Sequence, residues 1–122
     1  GSITTTSTTD VALTGASITL TTSANPVMLT FSGTTQSNTA NADNYYHFDC
    51  DGANILGAAD QGVANNADAA DQPYVFAMIA MSADLTAAAH TCTVEWRTTA
   101  GTATTYGTTG NPYQFTMVEV TD

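Results

Sequence analysis

The sequence predicts an all-β domain, an antiparallel two-sheet sandwich or jelly roll. Three observations carry that reading. Thr is about a fifth of the chain, and its branched Cβ favours strands and resists helix. At least seven short runs alternate apolar and polar residues with the period of a strand. Gly, Pro, Asn and Asp separate these runs as turn residues, and no stretch carries a convincing helical period.

The elements follow in order. The leading "GS" reads as an expression scar, and "ITTTSTTD" as a flexible polar arm, so residues 1–10 are set apart from a single β-sandwich domain over residues 11–122. "VALTGASITL" alternates Val11, Leu13 and then Ile18, Leu20, with Thr14-Gly15 expected as a turn between them. "NPVMLTFSG" aligns Val27, Leu29 and Phe31 after Pro26. "NYYHFDCDG" puts Tyr46, Phe48 and Cys50 on one face and Tyr45, His47 and Asp49 on the other. "PYVFAMIAM" is apolar on both faces, and its aromatics and Pro73 favour strand over helix. From His90 the alternation sends Cys92, Val94 and Trp96 one way and Thr91, Thr93, Glu95 and Arg97 the other. "NPYQFTMVEV" closes with Tyr113, Phe115 and Met117 opposite Val118 and Val120.

Composition limits what such a domain does. At 122 residues the chain is one domain. Set aside Ala, and the larger apolar residues are roughly a quarter of it, near the low end for an independent core. Two strands with two apolar faces therefore point to burial against a partner chain. The net charge is −10, with one Arg and no Lys. That excludes electrostatic binding of nucleic acid and disfavours anionic membranes. No segment is long and apolar enough for membrane insertion as a helix. No Asn-x-Ser/Thr acceptor is present.

"HTCTVEWRTTAGTATTY", preceded by "DLTAAA" and followed by "FTMVEV", resembles the C-terminal half of small jelly-roll domains of phage structural proteins. These are similar to the trimeric tumour necrosis factor and complement globular-head fold. Leu85, His90, Thr91, Val94, Trp96, Arg97, Gly101, Thr102, Ala103 and Glu119 carry the likeness, which extends over most of residues 11–121. It implies a tumour necrosis factor-like homotrimer packed through one sheet, set on a virion surface among other virion proteins as a capsid decoration, head fibre or spike knob. A fibre tip that binds a host surface glycan or receptor is the alternative on the same scaffold. The resemblance identifies no ligand. Cys50 and Cys92 depart from it, standing where small aliphatics are expected, and so does the Asn/Asp/Ala-rich segment 52–72.

Candidate sites are few. Cys50 and Cys92 face the core by parity; a disulfide is expected ahead of two buried thiols, given an extracellular particle. Asp49 and Asp51, in "DCDG", are the calcium candidates, without the third acidic ligand or bidentate Glu of an EF-hand. Asp60, Asp68, Asp71 and the loop residue Tyr106 are candidates for a ligand-binding loop surface. For Tyr45, Tyr46, Tyr106 and Tyr113, core and subunit packing is the favoured reading, ahead of a sugar platform. Arg97, Glu119, Tyr113, Phe115 and Met117 are the expected subunit contacts. Arg97 is expected to pair with Glu95, Glu119 or a neighbouring chain. Trp96 is expected in the core. No nucleophile stands beside His and Asp in a recognisable motif, and no Gly-x-Ser-x-Gly elbow exists, so no catalytic residues and no cofactor are expected.

Overall fold

A computed structural model describes residues 1–57, 59–65 (63–65 by backbone alone), 69–107, 110 and 112–121. The ligand-loop candidate Asp68 lies outside the described residues. Ten strands follow one another: β1 (Ile3–Thr5), β2 (Val11–Thr21), β3 (Val27–Ser37), β4 (Asp43–Cys50), β5 (Ala53–Asn54), β6 (Gly62–Asn65), β7 (Tyr74–Met81), β8 (Ala89–Thr98), β9 (Ala103–Thr105) and β10 (Gln114–Glu119).

They form two five-stranded antiparallel sheets. In the first, β3 is the spine. Strand β7 pairs along one side of it, from Met28↔Met81 to Thr35↔Tyr74. Strands β10 and β9 share the other side end to end, and β1 extends beyond β9. In the second sheet β8 lies between β2 and β4, and β5 and β6 pair with the far side of β4. The chain crosses between sheets from β2 to β3 to β4, and again from β6 to β7 to β8 to β9. This is the weave of a jelly-roll sandwich.

The inner faces make the core, and each strand contributes alternate residues to it. Phe31, Tyr46, Phe48, Val94 and Trp96 are fully buried, with Trp96 1% exposed as its parity predicts. The Tyr46 ring stacks on Phe76 at 4.3 Å and on Trp96 at 5.8 Å. Burial pushes the Tyr46 hydroxyl up to about 12. That hydroxyl donates to Thr35 Oγ1 at 2.8 Å and lies 2.9 Å from Thr105 Oγ1, so a polar group joins the two sheets without being left unsatisfied. Large aromatics and threonines with paired hydroxyls thus fill a core that is short of Leu and Ile.

Three expectations are corrected. Thr14-Gly15 is not a chain reversal: β2 continues through it as a bulge, its register on β8 shifting between Ala12 and Ser17. Gly15 takes a φ of 84°, and a Cβ there would meet Tyr113 Oη at 2.8 Å. The bulge lets Leu13 and Ala16 both face the core. The polar arm is also part of the fold, because Ile3–Thr5 pairs with β9 and the Thr98 N–H donates to the Ser7 carbonyl at 2.9 Å. Finally, the expected subunit contacts Tyr113, Phe115 and Met117 lie on the core side of the first sheet. Their register sets Phe115 opposite the buried Phe31.

The outer face of the first sheet is what remains apolar. Val75, Ile79 and Met81 of β7 are 84%, 65% and 47% exposed, and Val118 of β10 is 49% exposed. Met81, Met28 and Val118 form one row across three strands. No outward strand position of this sheet holds a charged residue.

Candidate functional site

The charges that the outer face of the first sheet lacks are gathered on the outer face of the second. The register of β4 on β8 decides which side chains meet there. Cys50 pairs with Cys92, so His47 falls opposite Glu95 and Tyr45 opposite Arg97. Cys50 and Cys92 are joined as a disulfide across the pair, on the core side, with Cα atoms 4.1 Å apart. His47 and Asp49, two residues apart, share the outer face with Glu95 and Arg97.

Two further carboxylates arrive from outside these strands. Asp60 lies in the link between β5 and β6. It is held there by Gln61, whose N–H donates to the Tyr46 carbonyl at 2.9 Å and whose Oε1 accepts from the Phe48 N–H at 2.6 Å. Asp10 comes from the segment between β1 and β2, which Thr98 anchors through Ser7.

Arg97 is the hub. Its Nη1 and Nη2 donate to Asp60 Oδ1 and Oδ2 at 2.9 and 3.0 Å, a bidentate pair, and Nη1 also donates to Asp10 Oδ1 at 3.0 Å. Its guanidinium carbon sits 4.3 Å from the centre of the Tyr45 ring. The Asp60 hydrogen bonds raise the Arg97 pKa further above its ordinary value. The expected partners Glu95 and Glu119 are corrected: Glu95 faces His47, and Glu119 accepts from Ser23 N and Asn25 Nδ2 at 2.6 and 3.1 Å. Those two bonds lower the Glu119 pKa. Residue-type reasoning named the wrong carboxylates because Asp10 and Asp60 reach Arg97 through loops, which strand parity does not place.

His47 is 3% exposed although it is on an outer face, because the surrounding acids cover it. Its Nε2 is 3.1 Å from Glu95 Oε2, and its Nδ1 is 3.8 Å from both Asp10 Oδ1 and Asp60 Oδ1. The sequence placed His47, Asp49, Glu95 and Arg97 on like-facing positions, yet His47, Glu95 and Asp10 were missed as site residues. The cysteine pair was the signal: taken as a register anchor, it sets His47 against Glu95 without further information.

The other candidates separate. Asp51 does not join Asp49. It opens a two-residue turn between β4 and β5, with φ of 53° at Asp51 and 88° at Gly52. Its carboxylate accepts from the Thr91 N–H at 3.0 Å and from His90 Nδ1 at 2.5 Å. His90 Nε2 faces the Thr86 carbonyl at 2.9 Å, so both ring nitrogens meet acceptors and the cationic ring is favoured. The Asp51 hydrogen bond raises the His90 pKa, and the His90 hydrogen bond lowers that of Asp51.

Asp71 is exposed, and its N–H donates to the Ser37 carbonyl. Tyr106 is half-buried, its hydroxyl donating to Gln36 Oε1 at 2.7 Å. No sugar platform forms from the four tyrosines. Tyr46 is buried, Tyr113 packs on Phe31, and Arg97 covers Tyr45. No family model matches the chain, and neither does any curated protein.

Proposed function

We propose that the chain is a non-enzymatic structural protein of a phage virion surface, a homotrimeric capsid decoration, head-fibre or spike knob whose copies meet through the outer face of the first sheet. The observation that carries this reading is the uncharged apolar surface of Val75, Ala77, Ile79, Met81 and Val118. A chain of net charge −10 repels its own copies. Copies therefore associate best through a surface free of carboxylates, and this face has none at its strand positions. A hollow of about 400 Å³, with Thr30, Ser32, Ala77 and Ile79 in its lining, offers a seat for a neighbouring side chain. The virion setting rests on the resemblance at residues 90–103.

The test is mass in solution by light scattering on a sizing column. A trimer is expected for the natural sequence, and a folded monomer for Ile79→Asp, with the strand signal in circular dichroism retained. A monomeric natural sequence at high protein concentration overturns the trimer.

A further inference from the structure

The charged face of the second sheet has two groups of carboxylates around the same imidazole. In the first, Asp10 Oδ1 and Asp60 Oδ1 both lie 3.8 Å from His47 Nδ1, and Arg97 Nη1 sits 3.0 and 2.9 Å from those same oxygens. A side-chain cation already fills that pocket. The second is formed by His47, Asp49 and Glu95, with Glu95 Oε2 3.1 Å from His47 Nε2. One ligand atom from each lies within 4.8 Å of the other two.

Among the described residues no Arg or Lys neutralises the second group as Arg97 does the first, and the sequence holds a single Arg and no Lys. Asp49 makes no hydrogen bond or ion pair among the described residues, and Glu95 faces only the His47 ring. The ring is 3% exposed, and neither nitrogen makes a well-aligned hydrogen bond among the described residues. A buried imidazole aimed at two carboxylates without a cation is an arrangement that calls for one.

We propose that His47, Asp49 and Glu95 bind one divalent transition-metal ion, of the zinc class, per chain. The donor set decides the class. An imidazole nitrogen with two carboxylates suits zinc, whereas calcium takes about six to eight oxygens and no imidazole. Ligand bonds to zinc are roughly 2.0 to 2.2 Å, and the three donor atoms already lie within 4.8 Å of one another, close to the spacing that a shared ion needs. Positions i and i+2 of β4 and the cross-strand partner of His47 on β8 supply the three ligands. Solvent completes the coordination, because Asp49 and Glu95 are only partly buried. The bound ion ties β4 to β8 on the outer face, opposite the disulfide that ties them on the inner one.

All three ligands come from one chain, so the proposal stands or falls independently of the trimer. The experiment is titration of chelator-treated protein with zinc chloride, followed by calorimetry and thermal melting. One ion per chain is expected, with a rise in melting temperature of roughly 5 to 15 °C at saturation. Asp49→Asn and Glu95→Gln are each expected to weaken zinc at least about tenfold. Asp71→Asn, on a remote loop, is expected to bind as the natural sequence does. Asp49→Asn loses no side-chain hydrogen bond or ion pair among the described residues, so its melting temperature without metal is expected to stay unchanged, which separates a lost ligand from a lost fold. Calcium chloride is expected to leave melting unaltered. No saturable zinc binding, or binding by Asp49→Asn and Glu95→Gln equal to that of the natural sequence, overturns the proposal.

Discussion

At the level of single residues, the lone Arg is explained by what surrounds it. Arg97 stands on a face with Asp10, Asp60 and Glu95, and its planar fork satisfies two of these acids at once. Parity showed which way it points, but not what reaches it, because its partners arrive on loops. The Asp51–His90 pair at the β4–β5 turn gives a pH prediction. His90 has a raised pKa, so its contribution is complete below its ordinary 6.5 and fades as pH rises through the raised value. Asp51 has a lowered pKa, so its contribution is complete above its ordinary 3.8 and fades as pH falls through the lowered value. The pair therefore stabilises most between 3.8 and 6.5. The melting temperature of the natural sequence minus that of His90→Gln is expected to be larger at about pH 5 than at about pH 9. An equal difference at both would mean that the ring acts by packing alone.

Among the elements, β4 and β8 matter most, since their pairing sets both the core and the charged face. The disulfide between Cys50 and Cys92 closes a loop with a sequence separation of 42. Its reduction is expected to lower stability by about 3 to 4 kcal/mol in the chain-entropy model, read as a fall in denaturation midpoint on adding a thiol. A midpoint unmoved by full reduction would show that strand pairing alone holds the register. Strand existence was legible for β3, β4, β7, β8 and β10, and facing for β3, β4 and β8, where alternating residues declare which side is buried. Less was legible at β2 and β1. Gly15 reads as a turn in sequence, yet the same positive φ serves a bulge, and the pairing of β2 with β8 on both sides of it tells the two apart. The Thr-rich run of β1 carries almost no hydrophobic pattern, so its pairing with β9 comes from tertiary structure alone.

For the whole molecule, the sandwich separates its chemistry: an uncharged apolar face on one sheet and an acidic face with a buried imidazole on the other. The sequence announced the first in β7, whose residues are apolar on both sides, but it assigned β10 the wrong outward side. Val118 is exposed while Phe115 and Met117 pack inward. The second face was invisible until two strands were set in register. The placement of Arg97 has one more consequence. Trypsin cuts after Lys or Arg, and this chain offers it only the bond between Arg97 and Thr98. That bond lies in β8, with β4 on one side and the Ser7 carbonyl bonded to the Thr98 N–H on the other, and its Arg is clamped by two acids. A protease needs an extended, unpaired segment, so the cut requires β8 to leave the sheet. Native protein is expected to resist trypsin and, when it yields, to break into one pair of fragments at a rate set by the opening of the second sheet. The chain thus carries a single scissile bond that reports its own unfolding.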